Sequence, residues 1–380
     1  MGAIDTAVSV PRSQARVLPL WRPVFWILMA AGVYVSWLRL FAGLGAVTNL
    51  SDQFPWGLWI GFDVLCGVGL AAGGFTLVAV VHIFNFERYK AILRPAILTA
   101  FLGYLLVILA LMFDLGRPDR IWHPLVMWNP HSVMFEVAWC VMLYTTVLGL
   151  EFGPAVCERI GWKAPLKVLR AVSVPVVIAG VLLSTLHQSS LGSLYLIVPT
   201  KLYPLWYTPL MPLFFYISAI CVGLAMTIFE SWHSSREFGR HLELPLLAGM
   251  ARLLAVLLSA YVVLRLADLE QRDGLRLLLK ARMETWLWLL EMALLAVPAL
   301  LLYSARVRSR SKALYFSSLM VIFGFIANRL NVSVTGMEAG LGTHYLPKWS
   351  EITVTLAIVA LGFAIFRFAA RHLPVFAEEE

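Results

Sequence analysis

The sequence predicts an all-α integral membrane protein with about ten transmembrane helices. Of its 380 residues, 60% are hydrophobic and only 14% are charged, and the mean hydropathy is +0.81. Soluble domains are about 45–50% apolar and about a quarter charged. The composition therefore excludes an ordinary water-soluble enzyme, a disordered chain and a disulfide scaffold.

Ten apolar segments divide the chain, and each is long enough to cross about 30 Å of hydrocarbon as a helix. They cover residues 21–44, 56–85, 92–113, 131–151, 166–187, 209–231, 246–267, 285–304, 313–330 and 350–371. We expect one transmembrane helical domain over residues 21–371, between cytoplasmic tails of residues 1–20 and 372–380. The second segment is rich in glycine, which favours close helix packing over ligand contact.

The distribution of lysine and arginine predicts the orientation. The net charge of +8 would suggest nucleic acid in a soluble protein, but here it indicates basic cytoplasmic loops. With the N-terminus in the cytoplasm, the loops on that side hold Arg88, Lys90, Arg94, Arg159, Lys163, Lys167, Arg236, Arg240, Arg306, Arg308, Arg310 and Lys312. The loops on the opposite side are poorer in basic residues, except for the loop after the seventh segment. An even number of helices places the C-terminus in the cytoplasm as well.

Three longer loops lie on the side opposite to the cytoplasm. They cover residues 114–131, 187–208 and 331–350. Tryptophan and tyrosine at a membrane boundary form ordinary aromatic belts, but the added glycine, serine and asparagine favour ordered loops. We therefore predict a docking surface on this side, with plain turns as the alternative.

Ionisable residues within apolar segments cost about 2.5–3.5 kcal/mol each on insertion scales, so each needs a partner or a purpose. At 1.5 Å per residue, Asp63 lies about 10 Å and Glu136 about 8 Å below the outer surface. The same depth band holds Arg39, His187, Arg265, Asp268 and Glu291. A second set near the cytoplasmic end consists of His82, Asn85, Glu230, His233 and Arg252. The two sets are candidate halves of a proton path, and buried ion pairs or packing hydrogen bonds are the alternative for each residue.

Haem and metal sites have weak support in the sequence. A bis-histidine haem needs two histidines at matching depth on facing helices, and only the pairs His131 with His187 and His82 with His233 meet the depth condition. No CxxCH, HExxH, Walker A or GxSxG motif is present. The four cysteines, Cys66, Cys140, Cys157 and Cys221, have no CxxC spacing and are expected to be buried thiols.

Several stretches resemble the NrfD/polysulfide-reductase family of membrane subunits, and most of all the HybB-type subunits of respiratory nickel–iron hydrogenases. The similarity runs from about Trp56 to Trp349. It is carried by WGLWIGFDV (56–64), MFEVAWC (134–140), LEFGPAVCERIGW (150–162), HQSSLGSL (187–194), MPLFF (211–215) and IFES (228–231). The fourth stretch and the LEFGPAxxERxGW pattern are the more specific ones.

The resemblance implies haem-free helical bundles that anchor a periplasmic ferredoxin-like iron–sulfur subunit and pass electrons between its clusters and quinone. The catalytic partner would be the small and large subunits of a nickel–iron hydrogenase, or a molybdopterin reductase or multihaem cytochrome in other members. The family's acidic residues map onto Asp63, Glu136 and Glu230, and its histidine before Gln-Ser-Ser maps onto His187.

We therefore expect a subunit in the bacterial inner membrane that reacts with menaquinone or ubiquinone and holds no haem or metal itself. The expected quinone-binding and acid–base residues are Asp63, Glu136, His187, Arg39 and Trp56. The expected proton path comprises Glu230, His82, Arg252 and Glu291. Proton translocation beyond quinone chemistry stays open, and the rival functions are a transporter, a haem b cytochrome subunit and a purely structural anchor.

Overall fold

The structure, a computed structural model, describes residues 21–83 and 86–376. Within these residues the chain forms helices and no strand, and ten helices are long and apolar enough to cross a membrane. The predicted fold class is confirmed.

The long helices are α1 (Trp21–Ala42), α2 (Trp59–Val78), α3 (Lys90–Asp114), α4 (Val133–Ile160), α5 (Ser173–Ser193), α6 (Met211–Phe238), α7 (Leu244–Gln271), α8 (Met283–Leu301), α9 (Ser311–Leu341) and α10 (Trp349–His372). The predicted tail of residues 1–20, the end of the C-terminal tail at 377–380 and Asn85 lie outside the described residues.

Several helices extend beyond the predicted apolar segments. The helices α4, α6 and α7 each contain 28 residues. Hydropathy marks the part that crosses hydrocarbon, whereas a helix continues until its backbone is capped. The helix α4 ends at Gly161, with φ +79°, and α6 ends at Gly239, with φ +66°. Glycine adopts this left-handed conformation at little cost and so terminates the helix.

Two predicted loops are partly helical. Residues 187–193 form the last turns of α5, which begins later than predicted because Lys163–Ala171 is a separate helix. After Leu330, α9 continues through the π-helical segment Asn331–Thr335 and the short helix Gly336–Leu341. The third loop, between α3 and α4, contains two single-turn 3₁₀-helices, Pro118–Arg120 and His123–Leu125.

The helices pack as two four-helix bundles. In the first bundle α2 contacts α3 and α5, and α4 contacts both α3 and α5; in the second bundle α6 to α9 form the corresponding ring. The helix α2 also packs against α6 and α9 and so joins the bundles, while α1 pairs with α10 outside them. We call the side where α1 begins and α10 ends the tail face, and the opposite side, where α2 and α4 begin, the loop face.

The helix α2 is irregular, since residues Trp59–Cys66 and Ala79–Ile83 are π-helical. Its glycines permit close contacts: a Cβ on Gly73 would lie 3.1 Å from the carbonyl oxygen of Gly223 on α6, and a Cβ on Gly69 would meet the ring of Phe325 on α9. The two bundles therefore meet nearly backbone to backbone. Single-turn π segments frequently occur at functional sites.

Candidate functional site

The carboxyl group of Glu136 lies at the loop-face end of α4. Ser132 caps this helix, because its side chain accepts a hydrogen bond from the backbone N–H of Phe135, and this places Glu136 in the first turn. The Glu136 residue is exposed on the outside of the bundle. Across the contact between α4 and α5, the Ser190 hydroxyl is hydrogen-bonded to Glu136 and lies 2.8 Å from the carbonyl oxygen of Leu186.

The Ser190 hydroxyl has two acceptors but only one hydrogen to donate. Both bonds form together only if Glu136 is protonated and donates to Ser190, which then donates to Leu186. If Glu136 is ionised, the hydroxyl donates to Glu136 or to Leu186. Ser190 can therefore hydrogen-bond to Glu136 in either protonation state.

Aromatic side chains surround the entrance to this site. The rings of Trp128 and Trp139 are 4.9 Å apart, and Phe135 packs against both. The Trp139 indole donates to the carbonyl of Pro124 at 2.9 Å and so fixes the preceding loop. That loop exposes Leu125, Val126, Met127 and Trp128. An acid–base group beside exposed apolar surface at the membrane boundary suits an amphipathic, lipid-soluble ligand.

The interior of the first bundle contains buried polar atoms without a hydrogen-bond partner in the structure. They belong to Tyr104, Tyr144, Ser184 and His187, which we call the first-bundle cluster. His187 is fully buried, and neither of its ring nitrogens is bonded. Its ring lies 5.6 Å from that of Tyr104, which lies 4.7 Å from that of Tyr144. Buried polar groups of this kind are normally satisfied by ordered water.

Two more carboxyl groups lie nearer the tail face, one on α4 of the first bundle and one on α6, where it contacts α3. Glu151 is on α4, fifteen residues after Glu136, which corresponds to about 22 Å of helical rise. One of its oxygens is buried without a partner. Glu230 on α6 accepts a hydrogen bond from Thr99 on α3 at 2.8 Å, and its other oxygen is likewise unpartnered. Glu151 lies in the LEFGP motif at residues 150–154. From the sequence, this motif was interpreted only as a family signature, and its carboxyl group was not singled out.

Asp63 and Arg39 lie in a different part of the molecule, where α1, α2, α3 and α10 meet. Asp63, 6% exposed, accepts a hydrogen bond from Thr355 at 2.7 Å. Arg39 donates to the carbonyl oxygens of Phe113, at 2.7 Å, and Leu115, at 2.5 Å. These carbonyls are free because α3 ends at Asp114. Asp114 is close enough to both Asp63 and Arg39 to interact with them electrostatically.

The structure thus divides the predicted quinone-binding residues. In residues 21–83 and 86–376, no hydrogen bond or ion pair links Glu136 or His187 with Asp63 or Arg39. Trp56 is half-buried and packs edge-on against Tyr195 at 5.7 Å. Depth along a helix was predicted from residue counting, but the direction in which each residue faces depends on packing.

Glu291 belongs to a hydrogen-bond network in the second bundle. It is fully buried and accepts bonds from Trp206, at 3.0 Å, Asn328, at 2.7 Å, and Asn331, at 3.0 Å. The Asn328 amide oxygen in turn accepts from Arg329 at 2.6 Å. Three hydrogen-bond donors hold the carboxyl group of Glu291 in one position. The sequence signal that we missed is Arg329, a charge inside the ninth apolar segment.

The remaining predicted proton-path residues lie apart from Glu230. His82 and Arg252 are both exposed, and neither has a hydrogen bond to Glu230 in the described part of the chain. His233 is exposed too, and its ring nitrogen lies 3.1 Å from the Tyr315 hydroxyl.

Comparison with known proteins identifies the family. The family model described as polysulphide reductase, NrfD, matches residues 46–339. The chain belongs to the NrfD family. It is 36% identical to the probable Ni/Fe-hydrogenase 2 b-type cytochrome subunit of Escherichia coli over 89% of this chain and 87% of that protein. It is 28% identical to the integral membrane subunit of menaquinone reductase of Nitratidesulfovibrio vulgaris, over 95% of this chain and 92% of that protein. The predicted family and its multi-pass membrane character are confirmed.

The histidines of this NrfD-family chain do not fit a bis-histidine haem. Such a haem needs two histidines that face each other from neighbouring helices. Of the eight histidines, all in the described ranges, only His187 is buried. His131, which was predicted from the sequence to lie at the same depth as His187, is exposed in the loop before α4. The described residues also contain no group of three or more His, Cys, Asp or Glu placed to hold a metal ion.

Proposed function

We propose that this NrfD-family protein is the quinone-reactive membrane subunit of a respiratory oxidoreductase complex. It would pass electrons between a periplasmic ferredoxin-like iron–sulfur subunit and menaquinone or ubiquinone in the inner membrane. The names of the Escherichia coli and Nitratidesulfovibrio vulgaris relatives support a hydrogenase or a related reductase as the catalytic partner. The termini would face the cytoplasm and the loop face the periplasm, as the loop charges predict.

The observation that carries this proposal is the pair formed by Glu136 and Ser190 at the edge of the first bundle. Reduction of a quinone to quinol takes up two electrons and two protons. The electrons would come from the partner's clusters, while the protons need an acid within about 2.6–3.2 Å of the quinone oxygens. Glu136 is exposed, and the hydroxyl of Ser190 can hydrogen-bond to it with or without its proton.

The other predicted quinone residues would have supporting roles. Glu136 would supply both protons in turn. Asp63 and Arg39 lie in a different part of the molecule and would act on the quinone only through their charge, and His187 would act from inside the first bundle. Trp56, half-buried at the start of α2, would line the approach to the site. Arg39 already donates to two carbonyls, so its contribution would be its positive charge rather than a free hydrogen-bond donor.

The proton route would run through the first bundle. It would begin at Glu136, pass His187 and the two tyrosines of the first-bundle cluster, and reach Glu230 near the tail face. His82 and Arg252, both exposed, would connect Glu230 with the cytoplasm. The three donors around Glu291 support a structural role for that residue rather than the predicted role in proton transfer.

The test of the proposed function is Glu136→Gln in the assembled complex. Loss of a general acid typically lowers the rate by about 10²–10⁴-fold, and we expect a loss of this order in quinone reduction. Electron transfer from the catalytic partner to a soluble dye should stay normal, since it bypasses the quinone.

The matched control is Glu284→Gln. Glu284 also lies in the first turn of a membrane-spanning helix on the loop face, so the substitution removes the same charge outside the site. Unchanged quinone reduction by an assembled Glu136→Gln complex would disprove the role of Glu136. The proteins that copurify in mild detergent would identify the catalytic partner.

The proton route is tested separately by Glu230→Gln in proteoliposomes. We expect slower proton uptake from the cytoplasmic side, with the complex still assembled. Thr99→Val, which removes only the hydrogen bond to Glu230, should have a smaller effect. Normal proton uptake in Glu230→Gln would contradict this route without affecting the role of Glu136.

A further inference from the structure

A groove opens between α1 and α10 at the tail face. The two helices approach most closely near Gly32, where a Cβ would lie 2.7 Å from that of Ala357. Toward the tail face they enclose a groove of about 360 Å³. Its walls are mainly aromatic and include Phe25, Trp26 and Phe363.

Arginines line the end of the groove that lies at the membrane boundary. Arg22 comes from α1, and Arg367 and Arg371 come from α10. Glu237 is paired with both α10 arginines, at 2.6 Å to Arg367 and 3.4 Å to Arg371. Within the described ranges Arg22 has no ion pair. Three arginines and one carboxylate leave two positive charges in excess.

The groove faces the membrane rather than another part of the chain. Only 17% of the most apolar part of α1 is buried. Aromatic walls suit acyl chains, and arginines at the boundary suit phosphate oxygens, which they bind with charge-assisted hydrogen bonds. Basic pockets between membrane helices bind anionic headgroups for this reason.

We propose that this groove binds an anionic phospholipid, with its acyl chains between α1 and α10 and its phosphate at Arg22 and Arg371. A zwitterionic lipid would leave the two excess charges unbalanced. Residues 1–20 precede the groove in sequence, but they contain Arg12 and Arg16 against Asp5 alone, so they add positive charge. The inference is independent of the proposed quinone chemistry.

The test measures lipid binding to the full-length chain by native mass spectrometry, with dioleoyl phosphatidylglycerol and dioleoyl phosphatidylcholine as probes. We expect the chain to prefer phosphatidylglycerol. Arg22→Gln and Arg371→Gln should each lower that affinity about fivefold, with little effect on phosphatidylcholine. Neither change removes the pair between Arg367 and Glu237.

Two further variants keep the test decisive. Arg306→Gln removes an exposed arginine on the same face outside the groove and should leave both affinities unchanged. Ala364→Phe fills the groove and should weaken binding of both lipids. Unchanged phosphatidylglycerol affinity in Arg22→Gln, Arg371→Gln and Ala364→Phe would overturn the proposal.

Two other occupants would also overturn it. One is a quinone that copurifies with wild type and is lost in Ala364→Phe. The other is the acidic end of the chain, Glu378 to Glu380. In that case removal of residues 377–380 would raise phosphatidylglycerol affinity by about fivefold or more.

Discussion

Two clusters of buried polar groups, one in each bundle, differ in how they are hydrogen-bonded. In the second bundle Glu291 accepts three hydrogen bonds, and Asn328 links it to Arg329. In the first bundle His187 and two tyrosine hydroxyls are buried with no partner in the structure. A saturated network fixes its members in one arrangement, whereas unpaired donors and acceptors leave room for water and exchangeable protons. The Glu291 network is therefore a fixed part of the second bundle, although Arg265 and Trp288 in the same bundle also have buried donors without a hydrogen-bond partner among the described residues. The first-bundle cluster differs because its unpaired groups include an imidazole and two phenols, which can both donate and accept a hydrogen bond.

The largest expected effect is on the stability of the second bundle. Glu291→Leu would leave the donors of Trp206, Asn328 and Asn331 buried without an acceptor. At about 1–3 kcal/mol for each unsatisfied group, we expect a loss of about 3–5 kcal/mol, measured by denaturant unfolding in detergent. The more conservative Glu291→Gln, which keeps the size of the side chain, should lose less. If Glu291→Leu is as stable as wild type, the hydrogen bonds of Glu291 do not stabilise the second bundle. The contrast between the Glu291 network and the first-bundle cluster would then be lost.

A pair of tyrosine variants compares a bonded hydroxyl outside the two bundles with an unpartnered hydroxyl inside the first bundle. Tyr345, in the segment before α10, receives a bond from the backbone N–H of Leu58 at 2.9 Å, and its hydroxyl is hydrogen-bonded to Glu351. Burial, and then the hydrogen bond to Glu351, raise the pKa of Tyr345 above its ordinary value, so the phenol keeps its proton and donates it. Tyr345→Phe should cost about 1–3 kcal/mol of unfolding free energy.

The matched change in the first bundle is Tyr104→Phe. Its hydroxyl is buried without a partner, so removal should leave stability within about 0.5 kcal/mol of wild type or increase it. If Tyr104→Phe destabilises the protein as much as Tyr345→Phe, the Tyr104 hydroxyl is hydrogen-bonded in the folded state. The first-bundle cluster would then not be free to exchange protons.

The smallest expected effect concerns Asp63, which has a single donor. Thr355→Val removes the 2.7 Å hydrogen bond and preserves the shape of the side chain. We expect a loss of about 1 kcal/mol, measured by the same unfolding experiment. Thr353→Val is the control, because its exposed hydroxyl bonds only to the backbone of its own helix. Equal effects of the two variants would show that Asp63 does not depend on Thr355.

The positions of the ten spans were predictable because hydropathy directly reflects the cost of placing residues in lipid. The ends of α4 and α6 were not, since Gly161 and Gly239 stop these helices by backbone conformation. The apolar segment ending at residue 187 gave no sign that α5 continues to Ser193, because the polar residues 187–190 interrupt the hydropathy signal without ending the helix.

The candidate site was predicted only in part. Counting residues from the ends of the spans placed Glu136 and Asp63 at similar depth in the membrane, but it could not reveal that they face different neighbours. The prediction for Arg39 did not include its hydrogen bonds to the carbonyls left free at the end of α3. Such backbone acceptors have no signature in a sequence. Ser190, which completes the Glu136 site, lies within the recognised HQSSLGSL stretch but was not distinguished from its neighbours.

The π-helical segment Trp59–Cys66 makes the length of α2 as important as its composition. Each residue of an ordinary helix turns the chain by about 100°, and a π segment accommodates one extra residue per turn. The π segment therefore takes up its extra residue without turning the rest of α2, whereas deleting a residue from the regular segment Gly67–Leu70 would rotate the two parts of α2 against each other by about 100°. Asp63 and Gly73 could then no longer face α10 and α6 together. The number of residues between Asp63 and Gly73 therefore determines whether α2 contacts both helices at once.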